Sequence, residues 1–236
     1  MCEHLVSSQL FSDGMVLQRN ENNKIFGYDI PSQKIKVTLS NKNYITYADE
    51  LGYWEVVLDQ KENSGPFEML VQGSSKKTIE DVYFGDVFLL SGQSNMELPI
   101  LRVFDLYEEE LLEFFNLHQK PIIRQFTMPK EYAFREENKG IKSGEWIELD
   151  PETQLDFSAI GYFFSKHFQS YHQGLNIGLI QAAVGGSTIE AWCDEAIIKK
   201  HRKELLSVLA CCQRSHYIEE KIQLEEQNIA NWMEHL

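Results

Sequence analysis

The sequence predicts an α/β protein in two parts: an antiparallel, β-sandwich-like domain over residues 1–81, then an α/β domain over 82–236. Three observations carry this. Short segments rich in Val, Ile, Tyr, Phe and Thr recur through the first third between clusters of Gly, Asn, Ser and Pro. After residue 82, continuous apolar runs alternate with amphipathic stretches. And 236 residues, 43% apolar and 25% charged, suffice to bury a sizeable core.

In chain order, the strand candidates of the first part are KIFGYDI, KIKVTLS, NYITYADE, GYWEVVLD, PFEMLVQG and KTIEDVYF. LSNKNYI and VQGSSKKTI read as hairpin connections. In the second part DVFLL (86–90) has the unbroken apolar texture of a strand buried on both faces. Residues 104–118 follow at helical spacing, with Pro121 as the stop. PIIRQFTM is the next strand. Residues 157–171 place Phe157, Ile160, Phe164, Phe168 and Tyr171 on one helical stripe, ended by Gly174, and NIGLIQAAV (176–184) returns as a strand. Strand, helix, strand, helix, strand is the doubly wound pattern. Residues 194–232 read as helix almost throughout, acidic and amphipathic, with no breaker.

A net charge of −14, with 22 basic residues against 36 acidic, argues against a nucleic-acid partner, which needs clustered Lys and Arg. No apolar segment approaches membrane-spanning length, and the N-terminus lacks a basic start followed by an apolar stretch. Cys2, Cys193, Cys211 and Cys212 show neither metal-ligand spacing nor a disulfide framework. A cytoplasmic protein with reduced thiols is expected.

Functional groups in open α/β sheets gather beyond the carboxyl ends of the strands. At the first such end, DVFLL runs into SGQSNME. Gly92 permits a tight turn, and Ser94 could present both its hydroxyl and its N–H there. On spacing alone this is first a turn serine, since Met96 stands where a G-x-S-x-G elbow would need glycine. At the second end, IGLIQAAV runs into GGSTIEAW. Gly185 and Gly186 form either a plain turn or a pair of bare N–H groups for a developing oxyanion. No lysine follows the pair, so a phosphate-cradling loop is the weaker option.

GQSNM after a buried strand, paired with AAVGGSTIEAW, resembles the sialate O-acetylesterases and related carbohydrate acetylesterases of the SGNH hydrolase superfamily. LFSDGMVLQR, the β-rich part and EDVYFGDVFLLSGQSNMELP are similar to the opening of those esterases, and SAIGYFFSKHF to their helix before the second motif. The likeness covers essentially the whole chain. It implies an SGNH-type, flavodoxin-like α/β/α fold for 82–236, and it overrides the turn-serine reading. By position, Ser94 corresponds to the nucleophile. Its N–H, with that of Gly185 or Gly186, corresponds to part of the oxyanion hole. Gln93, Asn95 and Glu97 would hold the turn. Glu190 and Trp192 would brace the second loop, unless Trp192 lines the acyl pocket. The implied substrate is an O-acetylated sugar, sialic acid first, with no metal or organic cofactor.

The same family carries a later WYQGE-like segment and a later Asp-x-x-His-like segment that supplies the general base. Neither occurs among the 236 residues, and none of the seven histidines stands in that context. The chain is therefore expected to correspond to the N-terminal half of such an esterase, with the base on a possible partner chain. Two further readings stay open. One is a half-enzyme active only on assembly. The other is a non-catalytic carbohydrate-binding remnant using Tyr44, Tyr47 or Trp54. Arg102 and Arg124 are candidates to face a sialic acid carboxylate.

Overall fold

The computed structural model describes residues 5–115, 121–131 and 140–234. They form two compact units. One is drawn from Met1–Pro129 and Gly140–Ser187, the other from Lys130–Lys139 and Thr188–Leu236.

The first unit opens with eight strands: β1 (Val6–Ser7), β2 (Val16–Gln18), β3 (Asn23–Tyr28), β4 (Lys34–Leu39), β5 (Lys42–Tyr47), β6 (Tyr53–Leu58), β7 (Ser64–Gln72) and β8 (Lys76–Gly92). Period-two alternation dictates which side is buried. In β4, Ile35, Val37 and Leu39 point inward while Lys34, Lys36 and Thr38 do not. Ser40 and Asn41 both have positive φ, so β4 and β5 are joined by a two-residue turn whose twist suits a hairpin. The unit continues through α1 (Ser94–Glu97), α2 (Phe104–Phe115), β9 (Ile123–Thr127), β10 (Trp146–Glu148), α3 (Ala159–Tyr171) and β11 (Ile177–Ala183).

These strands make two sheets. The smaller is antiparallel, in the order β1-β3-β6. The larger runs β10-β9-β11-β8-β7-β4-β5, with β2 pairing along β8. Ile25, Trp54 and Leu58 of the small sheet share one core with Ile35, Val37, Met69, Val71 and Ile79 of the large one. Trp54 is only 1% exposed, so it is a core residue and cannot serve as a sugar platform. Tyr44 is half-buried with its hydroxyl on Asp59, whereas Tyr47 is 62% exposed.

β8 is one strand with two kinds of neighbour. It pairs antiparallel with β7 up to Phe84, and parallel with β11 from Asp86 to Gly92. It thus runs through residues 81 and 82. β9 joins the far side of β11 in parallel, so β11 lies between β8 and β9. The chain passes through α2 on the way from β8 to β9 and through α3 on the way from β9 to β11.

The expected apolar stripe of α3 is not its most buried face. Of that stripe Phe157 is fully buried and Phe168 packs against the core, but Ile160 and Phe164 are 39% and 38% exposed and Tyr171 is 73% exposed, while Ala159, Gly161, Tyr162 and Ser165 are buried. A Cβ on Gly161 would stand 2.8 Å from Leu90 Cδ1 and 3.0 Å from Leu179 Cδ1. Gly161 therefore lets the helix lie close to the sheet, with Tyr162 fully buried on the same helix and Phe164 and Phe168 against Phe88.

The second unit contains a short 3₁₀ turn, Ile189–Trp192, and then α4 (Glu195–His201), α5 (Leu206–Cys212) and α6 (Tyr217–Glu234). The continuous helix expected over 194–232 is thus three helices. Arg202 leaves helical geometry after α4, and His216 has φ 64°, a left-handed residue that breaks the ladder ahead of α6. The end of the helix expected over 104–118 lies outside the described residues. Among the described residues no helix is long and apolar enough to cross a membrane.

Candidate active site

The site begins with a register. β8 and β11 are parallel neighbours with Gly92 opposite Ala183, so the two loops leave the sheet side by side. The Val184 N–H donates to the Gly92 carbonyl at 3.0 Å and closes the last rung. Gly92 has φ 140°, a conformation that side chains rarely adopt, and it turns the chain into α1.

α1 is a single turn. The N–H groups of Met96 and Glu97 reach the Gln93 carbonyl at 2.9 and 3.2 Å, and Leu98 reaches Ser94 at 2.8 Å. Ser94 heads the turn and is exposed, as are Gln93 and Asn95. Its N–H is one of the helix-start donors that a helix cannot satisfy by itself. Within this unit no described residue hydrogen-bonds the Ser94 hydroxyl.

Glu97 reaches the second loop. Its Oε2 accepts the Gly185 N–H at 2.5 Å. A Cβ on Gly185 would lie 2.5 Å from that oxygen and 3.8 Å from Ser94 Cα, which measures how closely the two loops approach. Gly186 differs. It has φ 80° and open space around its Cα, and no described group accepts its N–H. The two glycines that spacing alone could not separate therefore stand in different states: one N–H is engaged by a carboxylate, the other is open.

The carbonyl of Met96, also at the end of this short turn, receives two side-chain donors: Gln181 Nε2 at 2.7 Å and Ser158 Oγ at 3.1 Å. Ser158 caps α3 through the same hydroxyl, which accepts the Gly161 N–H at 3.3 Å. Gln181 and Ser158 were missed by motif reading. The available signal was a glutamine in an otherwise apolar strand, IGLIQAAV, where a buried amide demands partners.

Glu190 and Trp192 belong to the second unit. There Glu190 pairs with Arg202, and Trp192 is 42% exposed. Of the arginine candidates, Arg102 is exposed at the end of a 3₁₀ turn, but Arg124 is not available to a substrate. Arg124 is 4% exposed, pairs with Asp81 and Glu148 at 2.6 and 2.7 Å, and donates to the carbonyls of Gly14 and Asp81. Its guanidinium also lies over Tyr83. His167 and His172 sit at the far end of α3, against the rings of Tyr171 and Phe168.

Comparison with known proteins identifies the family. A sequence model of the family described as carbohydrate esterase, sialic acid-specific acetylesterase, matches residues 84–211. Sialate O-acetylesterase from Homo sapiens is 30% identical over 206 residues, covering 80% of this chain and 38% of that protein. The Mus musculus sialate O-acetylesterase is 29% identical over 215 residues, covering 78% and 37%. A carbohydrate acetylesterase from Xanthomonas citri, solved by crystallography, has a TM-score of 0.74 and 34% identity, covering 83% of this chain and 43% of its own. The chain spans well under half the length of each of these relatives.

Proposed function

Because this chain belongs to the sialic acid-specific acetylesterase family of carbohydrate esterases, we propose that it carries the nucleophile side of a carbohydrate O-acetyl esterase site. The observation that carries this reading is the Gly92–Ala183 register, which sets the Ser94 turn beside the Gly185–Gly186 turn.

In the proposed reaction Ser94 Oγ bonds to the acetyl carbonyl carbon, and the carbonyl electron pair moves onto oxygen. The N–H groups of Ser94 and Gly186 hold that oxyanion. Gly186 is preferred to Gly185 because its N–H is open, whereas the Gly185 N–H already serves Glu97. Collapse expels the sugar oxygen, which leaves as a protonated hydroxyl, and water then releases acetate from the acyl-serine.

The serine proton needs an acceptor. We assign that role to a histidine of the family's later histidine motif, which lies outside these 236 residues. The assigned substrate is an O-acetylated sialic acid, after the activity named in the relatives. A reducing cytoplasmic setting is part of the proposal, supported by the unpaired Cys193, Cys211 and Cys212.

The test is acetate release from an O-acetylated sialic acid and from an acetylated xylose, by the purified chain and by Ser94→Ala. Release that Ser94→Ala abolishes supports the reading, and equal rates from both proteins remove Ser94 from the chemistry of this chain.

A further inference from the structure

A one-turn helix cannot satisfy its own carbonyls, so whatever binds them decides where the turn stands. At α1 the binding group is the end of a chain of side chains whose polarity runs in one direction. The Ser158 backbone N–H donates to Gln125 Oε1 at 3.0 Å. Gln125 Nε2 donates to Thr127 Oγ1 at 3.0 Å. Thr127 Oγ1 donates to Gln181 Oε1 at 3.1 Å, and Gln181 Nε2 donates to the Met96 carbonyl at 2.7 Å. Gln125 Nε2 also lies 3.4 Å from Gln181 Oε1.

Both ends of this chain are main-chain groups. Ser158 N–H can only donate and Met96 C=O can only accept, so neither amide can flip without breaking bonds on both sides. Gln125 is 0% and Gln181 6% exposed, so those bonds could not be replaced by water without cost. The links come from the carboxyl ends of β9 and β11 and from the cap of α3, three elements with no sequence proximity to Ser94.

We propose that Gln181 is the positioning residue of the nucleophile turn. Its amide, locked in one orientation by Gln125 and Thr127, fixes the Met96 carbonyl and through it the placement of the Ser94 hydroxyl and N–H. Ser158 Oγ supplies the second hold on the same carbonyl. This rests on the reading of Ser94 as nucleophile for its catalytic meaning, but the hold on the turn stands or falls separately.

The test is NMR on the full chain, isotope-labelled, reading the Met96 carbonyl ¹³C resonance and the Ser94 and Asn95 amide cross-peaks. Gln181→Met keeps the length of the side chain and removes both polar ends. The expected result is that the Met96 carbonyl moves upfield and the Ser94 and Asn95 amides shift or broaden, while amides in β3 and β6 stay in place. Thr127→Val keeps shape at an exposed position and breaks the chain one link earlier, so it serves if Gln181→Met does not fold. It should move the same resonances by a smaller amount. Turn resonances unchanged in the folded variant, or shifts spread evenly over the whole fold, would overturn the proposal. Acetate release by wild type and Ser94→Ala is measured alongside. If those two are equal, the esterase reading fails for this chain, and the NMR result still decides the role of Gln181. If wild type alone is active, the proposal requires a lower kcat at unchanged KM in the variant, and a raised KM at unchanged kcat contradicts it.

Discussion

The carboxylate of Glu97 accepts the backbone N–H of Gly185, 88 positions further along the chain, at 2.5 Å. The bond ties the end of the nucleophile turn to the start of the glycine loop. It removes Gly185 from the free donors of the site and leaves Gly186 as the open one. Glu97→Ala should destabilise the fold by about 1 kcal/mol, since a charge-assisted bond on a half-exposed side chain is partly replaced by water. Urea denaturation measures the loss, and the Gly185 amide resonance should move with it. A variant with wild-type stability and an unmoved Gly185 amide would show that the bond does not form in solution.

Arg124 joins β9 to Asp81 on β8 and to Glu148 on β10, and its five N–H groups face protein oxygens. Arg124→Leu leaves two carboxylates without their cation, Asp81 and Glu148 being half-exposed and able to recover some hydration. The expected cost is roughly 3 kcal/mol, the lower end for breaking a buried pair. Chemical denaturation checks it. A variant of wild-type stability but weakened binding of an acidic sugar would instead return Arg124 to the substrate.

The Tyr53 phenol is pushed up to about 12 by burial and by its hydrogen bond to the Glu55 carboxylate. The folded state therefore holds this proton more tightly than the unfolded chain, whose tyrosine titrates near its ordinary value of about 10. The sign follows: the contribution is fully present below about pH 10 and is lost as pH rises through about 12. A tyrosinate absorbance titration of wild type minus Tyr53→Phe should isolate one phenol titrating near the upper value. A difference curve centred near pH 10 would contradict the Tyr53–Glu55 bond.

Gly161 lets α3 lie close on β8 and β11. Gly161→Val inserts three carbons where the first already meets Leu90 and Leu179, and overpacking of this kind costs about 1–3 kcal/mol. Ile160→Ser, on the neighbouring 39% exposed position, should cost about 1 kcal/mol or less. Thermal unfolding of the two variants tests which face of the helix meets the sheet, and the reverse order of stabilities would place the apolar stripe inward after all.

Much of the fold was legible because its signals are local. Alternation along KIKVTLS marks β4, Ser40–Asn41 marks a tight hairpin, and the run DVFLL marks the parallel half of β8, although Leu89 is 65% exposed and the strand is not buried on both faces as expected. Where local signals failed, a long-range contact had overridden them. The stripe of Ile160, Phe164 and Tyr171 has the right period for a buried face, but Ala159, Gly161, Tyr162 and Ser165 are the buried residues of the helix. Arg124 lies close to a strand end in sequence, but it is the amino end of β9, and its guanidinium is held there by Asp81 and Glu148.

By itself the sequence determined the element types, the family, and the two loops that carry Ser94 and the glycine pair. Each depends on spacing within a few residues, which local geometry translates directly into a strand, a turn or a helix. Only the tertiary structure decided that Gly186 rather than Gly185 has an open N–H, that Glu97 spans the two loops, and that a buried amide chain ends on Met96. Those outcomes depend on the register of β8 against β11. A one-residue slip there would point every group to the opposite face, and no local pattern reports which pairing the sheet adopts.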